Sequence, residues 1–202
     1  MTSPEQKRGP MPSTFFALVS RMKYIERWAL MRSARPENLS EHSLEVAMIA
    51  HALATIANVR YGRSLDASRA AVVGLFHDAS EIITGDMPTP VKYYDENTRE
   101  AYKSVESAAI GRFLDYLPAE LRAPYEKALC CSDEEHKIIK AADKLCAYIK
   151  CLSELELGNR EFKLASESTY AAMKEYDCEE LDYFLENCIE SFGKSLDELK
   201  NN

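Results

Sequence analysis

The stretch Leu75-Phe76-His77-Asp78-Ala79-Ser80-Glu81 places a histidine, an aspartate and a glutamate inside an otherwise apolar segment of helical spacing. Any fold that buries this segment must compensate three polar groups, because burying them unpaired is costly. At about 100° per residue, His77 and Asp78 point to neighbouring sides of a helix and can converge on one ion, with Glu81 stacked one turn above His77. A divalent metal is the simplest partner, since neutral imidazole and carboxylate are both ordinary ligands for it. The motif is short, and other elements must supply the remaining groups.

Those elements read as helices. From Thr14 to about Glu26, the apolar residues Phe15, Phe16, Leu18, Val19, Met22 and Ile25 recur at three and four. Arg27 and the chain's lone tryptophan, Trp28, then stand at a helix-to-loop boundary before a polar connector with Pro36 and Asn38. Ser40 reads as the N-cap of a helix through Ala57 that carries His42 and His51. Nine residues apart, these histidines face opposite sides, and His42, in the first turn, is the one near the connector. Asp66 or Ser68 begins a helix expected to run from Ala70 to Ile83 and to end at Gly85. Asp86-Met87-Pro88-Thr89-Pro90 follows as a stiff loop placed to wall one side of a site.

Tyr93 to Leu117 reads as a long amphipathic helix, and Pro118 opens a further one over Ala119 to Leu129. Ser132 caps a helix whose apolar face includes Ile139, Ala142, Leu145, Cys146 and Ile149, with Asp143 among them. An aspartate there needs a partner, either an arginine or a metal. His136 shares that face but lies about 10 Å away along the axis, too far to join the same ion. Glu161 to Met173 and Cys178 to Leu199 complete a helical chain. With no alternating strand pattern, no Asn-Gly turn and no glycine-rich phosphate loop, the expected class is all-α.

Composition narrows the function. At 202 residues, with 46% hydrophobic and 29% charged side chains, the chain suits one globular domain over residues 14 to 202 after a disordered tail at 1 to 13. Neither a leader nor a membrane span is expected, which places the protein in the cytoplasm. The six scattered cysteines then read as reduced thiols. A net charge of −8 argues against binding to polymeric nucleic acid. Against it, Arg21, Lys23, Arg27, Arg32 and Arg35 oppose the single Glu26, a basic region suited to a small phosphate.

The candidate set is therefore His42, His77, Asp78 and Asp143, drawn from three helices. Two imidazoles and two carboxylates suit cobalt, manganese, iron, nickel or zinc, and without a thiolate this is no closed structural zinc site. The order His, His-Asp, Asp resembles the HD-domain metal-dependent phosphohydrolase superfamily. Five blocks sharpen the likeness: Glu26-Arg27-Trp28, Asn38 to Ser43, Phe76 to Glu81, Thr84 to Lys92 and Ala142 to Tyr148 together resemble the bacterial 5′-deoxynucleotidases of the YfbR type.

The resemblance implies a compact multi-helix HD-domain bundle. It also implies hydrolysis of deoxyribonucleoside 5′-monophosphates to deoxynucleoside and phosphate, with selection against ribonucleotides, by a homodimer with one divalent ion per subunit (Co, Mn, Zn, Fe, Ni or Cu). His42, His77, Asp78 and Asp143 would hold the ion, with His42, Asp78 and Asp143 also facing substrate. Arg27 would orient the phosphate and Trp28 would lie against the sugar. Asp86, Met87, Pro88 and Thr89 would line the nucleotide, Met87 standing where leucine is expected in relatives. Glu81 would be the catalytic acid, working with Asp78 and Arg27. Three alternatives remain at this point: an HD-type hydrolase of a cyclic nucleotide, a dNTP or an alarmone; a non-catalytic metal and nucleotide sensor; and a metal-free helical interaction protein.

Overall fold

The computed structural model describes residues 13–92 and 94–200. In order, the helices are α1 (Phe15–Val19), α2 (Leu39–Tyr61), α3 (Ala67–Phe76), α4 (Glu81–Thr84), α5 (Thr89–Lys92), α6 (Glu96–Leu114), α7 (Ala119–Leu129), α8 (Asp133–Glu156), α9 (Lys163–Lys174), α10 (Glu179–Asn187) and α11 (Leu196–Lys200). Short 3-10 turns cover Ser20–Tyr24, Arg160–Phe162 and Ile189–Gly193, and among the described residues no strand forms, as the all-α expectation requires. No helix among them is long and apolar enough to cross a membrane. The expected disordered tail lies, apart from Ser13, outside the described residues.

The main core is built where α2, α3, α8 and α10 meet, with Val46, Ala50, Leu53, Ala54, Ala142, Leu145 and Cys146 fully enclosed. A second cluster joins Phe15 of α1 to Ala79 and to Phe113, Leu114 and Leu117. The axes of α2 and α3 approach so closely that a Cβ on Gly74 would lie 2.9 Å from the Cα of Ala47. Only hydrogen fits there, so glycine is tolerated in α3 despite its poor helix propensity.

Several expected boundaries move. The helix over 14–26 stops at Val19 and tightens into a 3-10 turn. Asn38, not Ser40, caps α2: its side chain accepts from the Ser40 and Glu41 backbone N–H groups and Glu41 reciprocates in a capping box. Asp66 caps α3 as one of the two residues proposed, but the helix expected to continue to Ile83 breaks over His77–Ser80. There Ala79 N–H donates to Phe76 O and Glu81 N–H to Asp78 O, at 3.0 and 2.9 Å, three-residue closures that tighten the chain. α6 begins at Glu96 under an Asp95 cap rather than at Tyr93, which lies outside the described residues. Ser132 does cap α8 through a capping box with Glu135, whereas residues 178 to 199 divide into α10, a 3-10 turn and α11.

The connector between α1 and α2 is clamped at its base. Glu26 and Asn38 form an antiparallel bridge, and Arg27 N–H donates to Glu37 O at 2.9 Å. Its far side is fixed by the buried Glu154 carboxylate of α8, which accepts from the Ala34 and Arg35 N–H groups at 2.7 and 3.1 Å and from Asn159 and Lys150. Burial works against the charge on Glu154, but these donors hold its carboxyl down at about 2. The connector thus presents Arg27 and Trp28 from a fixed frame.

Candidate metal centre

His42 enters the site from the first turn of α2, 1% exposed, because the capping box at Asn38 starts the helix there. His77 follows the last residue of α3, and its Nδ1–H donates to Gly74 O at 2.7 Å. A carbonyl can only accept, so this bond puts a proton on Nδ1 and makes Nε2 the nitrogen left for a ligand once it sheds its own proton. Asp78 is carried by the tightened turn, and Asp143 projects from α8.

Among the described residues, His42, His77 and Asp78 have ligand atoms that all lie within 4.8 Å of one another. His77 Nε2 stands 3.0 Å from Asp78 Oδ2, while His42 Nε2 stands 3.7 Å from that oxygen and 3.1 Å from Asp143 Oδ1. Despite these distances, neither Nε2 has a hydrogen-bond partner. The two nitrogens and the Asp78 oxygen therefore border one small space. Asp143 joins through His42 and keeps a 37% exposed side chain, so it stands at the margin of the buried face rather than within it.

The field there calls for positive charge. Burial lowers the His77 pKa, but Asp78 and Asp143 override it and raise the imidazole to about 9. Conversely, although burial favours their neutral forms, the imidazoles of His77 and His42 hold Asp78 and Asp143 below the usual carboxylate range. Two buried imidazole nitrogens, one ring anchored through its Nδ1–H, and two ionised carboxylates that favour a cation form a donor set that fits one divalent ion of borderline softness, which would take the place of the imidazole proton. This corrects one expectation: with the helix broken over His77–Ser80, Glu81 does not stack one turn above His77 on a continuous helix but opens α4.

Glu81 opens α4 at 6% exposure, and its Oε2 has no partner. Burial first, then the charges of Asp78 and Asp86, push its carboxyl up to about 9. Asp86 follows Gly85, whose φ of 72° turns the chain out of α4. Burial and Asp78 raise the Asp86 pKa against the pull of Arg27 and His42, which places it in the field of the site. Met87 and Pro88 are half-buried beside it, and Thr89 is exposed at the start of α5.

Arg27 completes the rim. Its Nη1 donates to Asp78 Oδ2 at 3.4 Å and its Nε to Glu37 Oε2 at 3.2 Å. Trp28 takes a left-handed backbone, φ 61°, and its ring tilts against Phe162 with centroids 5.3 Å apart. Such a conformation costs a bulky residue about 1–3 kcal/mol and persists only where its surroundings hold it. Glu37 was not singled out from the sequence: an acid just before a helix cap carries no signal that it meets both Arg27 and Trp28. Gly74 was likewise unmarked, although it is a lone glycine in an apolar helix. The two remaining histidines stay apart, His51 exposed on α2 and His136 exposed beside Cys131.

Comparison with known proteins follows the same lines. The sequence model of the family described as 5′-deoxynucleotidase YfbR-like matches residues 14–192. A protein of Escherichia coli named 5′-deoxynucleotidase YfbR is 50% identical over 190 residues, covering 93% of this chain and 96% of that protein. Among solved structures, an HD-domain phosphohydrolase from Listeria innocua superposes with a TM-score of 0.78 at 25% identity, over 93% of this chain and 92% of the other. The cyanophage S-2L HD phosphohydrolase DatZ, bound to dA and one catalytic Zn²⁺, shares the fold with a TM-score of 0.61 at 21% identity, over 87% of this chain and 96% of its own.

Proposed function

This chain belongs to the 5′-deoxynucleotidase YfbR-like family, and from that premise we propose that it is a metal-dependent 5′-deoxynucleotidase that hydrolyses deoxyribonucleoside 5′-monophosphates and disfavours ribonucleotides. The observation that carries the reading is the buried pair of unpartnered imidazole nitrogens beside Asp78, rimmed by Arg27 and Glu81. His42, His77, Asp78 and Asp143 are the ligands for one divalent ion per subunit, drawn from Co, Mn, Zn, Fe, Ni and Cu. When bound, such an ion offsets phosphate charge and acidifies a bound water.

The chain's own residues supply the rest. Arg27, already held at Asp78, offers a planar fork to the phosphate oxygens and fixes their orientation. In the reaction, an oxygen of water forms a bond to phosphorus as the bond from phosphorus to the 5′-oxygen breaks. Glu81, whose carboxyl burial lifts well above the usual range, gives its proton to that leaving oxygen, and its carboxylic acid is restored by a proton from the water consumed. Trp28 lies against the sugar, where a 2′-hydroxyl would be buried without a partner. Asp86, Met87, Pro88 and Thr89 line the nucleoside side.

The functional unit in this reading is one HD domain over residues 14 to 202, assembled as a cytoplasmic homodimer. Its net charge of −8 suits a mononucleotide substrate better than a polymer. The test is phosphate release from dAMP beside AMP, using chelator-treated protein with Co²⁺ or Mn²⁺ restored. Release from dAMP that depends on the ion, with little from AMP, is expected. Equal release from both would remove the sugar selection, and no release with metal bound would remove the nucleotidase reading.

A further inference from the structure

One carboxylate oxygen outside the ligand set receives both rim residues. Glu37 Oε2 accepts from Arg27 Nε at 3.2 Å and from Trp28 Nε1 at 2.9 Å. The Arg27 and Glu37 side chains are 13% and 11% exposed, so this contact is largely shielded from water. Glu37 is itself fixed by the backbone, since its carbonyl accepts from Arg27 N–H and the neighbouring bridge closes Glu26 against Asn38. Arg27 uses its remaining reach on Asp78, and Trp28 depends on its contacts to keep its left-handed backbone.

On the assignment of Arg27 to phosphate and Trp28 to sugar, we propose that Glu37 is a positioning residue that joins phosphate orientation to sugar selection. With Nε occupied by Glu37, the guanidinium has a fixed plane and directs its terminal nitrogens toward the centre. The same oxygen pins the indole N–H, so the ring face cannot rotate away from the sugar without giving up a hydrogen bond to a charged acceptor. Bonds of that kind are worth enough to change a binding equilibrium by about tenfold or more. Loss of Glu37 therefore acts on both halves of the substrate at once, although Glu37 touches neither.

Trp28 is the single tryptophan of the chain, so its fluorescence reports this contact without turnover. The experiment compares wild type, Glu37→Ala, Glu37→Gln and Trp28→Phe, each reconstituted with Mn²⁺, by intrinsic emission and by kcat/KM for dAMP and AMP. Glu37→Ala is expected to shift the Trp28 emission and to reduce the dAMP to AMP ratio about tenfold, with most of the loss in KM for dAMP. Glu37→Gln keeps an oxygen for both donors and should retain the wild-type emission and most of the ratio. Trp28→Phe confirms that the emission belongs to Trp28. A Glu37→Ala protein with unchanged emission, or one whose two rates fall by the same factor, would overturn the proposal, since general loosening scales both substrates alike. If wild type released no phosphate from either nucleotide, the nucleotidase reading would fail by itself, and the emission of Glu37→Ala would still decide the tether.

Discussion

The rings of His42 and His77 lie with centroids 5.3 Å apart and planes at 55°, although one comes from the start of α2 and the other from the turn after α3. Neither is held by the other, and only His77 has a backbone anchor, at Gly74. The site is thus a convergence of separate elements, and each member should be removable without loss of the fold.

His77→Ala and Asp78→Asn are expected to lower metal content well below that of wild type and to reduce phosphate release by more than about a hundredfold, exceeding the usual effect of altering a group that merely supports a ligand. Elemental analysis and circular dichroism check this together. Full metal content in either variant would remove that residue from the ligand set.

Glu81→Gln should leave the ion bound and lower kcat by about 10² to 10⁴-fold, the range for a positioned proton donor. As the proposed proton donor Glu81 acts in its protonated form, so activity should fall as pH rises between neutrality and about 9, the value to which burial and the charges of Asp78 and Asp86 lift the group. A bound cation draws that limb toward the lower end. In Glu81→Gln the limb should vanish from the kcat profile.

Glu45 on α2 ties stability to pH. Burial first, then Glu37, lift its carboxyl to about 7 from 4.5. The folded chain holds that proton more tightly than the unfolded chain, so this contribution is fully present below about 4.5 and is lost as pH rises through about 7. Glu45→Gln should therefore stabilise the protein at pH 8, by roughly 1 kcal/mol after solvent screening, and make little difference at pH 4. Thermal melts at the two pH values decide it.

Much of this site is legible in the sequence because its chemistry is local. His77 and Asp78 are adjacent, Glu81 lies three residues beyond Asp78, and the polar residues Asp78 and Asp143 interrupt apolar faces. The structure brings His42, His77, Asp78 and Asp143 together and sets Arg27 at the rim. What could not be read is set by tertiary contact. The break after Phe76 involves a histidine turning back onto its own helix, and periodicity carries no trace of that bond. Ser40 is an ordinary cap by type, but the chain geometry gives the role to Asn38, two residues earlier. Glu37 becomes visible only once the connector closes on itself.

Gly74→Ala tests the contact between α2 and α3. Alanine favours a helix over glycine by about 1 kcal/mol, yet its methyl would press on Ala47 at 2.9 Å. The clash should prevail, with a net loss of about 1–3 kcal/mol, read from chemical denaturation. Weaker metal retention should accompany it, because Gly74 also supplies the carbonyl that holds His77.

In the vocabulary of coordination chemistry, the seat of Gly74 on Ala47 sets the bite of a chelate. The two helices act as the jaws of a gauge, closed by core packing. Because core packing fixes both jaws, the entropy of gathering the imidazoles is spent in folding rather than in binding an ion. Exchange of one metal for another should then be limited by dehydration and escape of the ion, while the helices stand still.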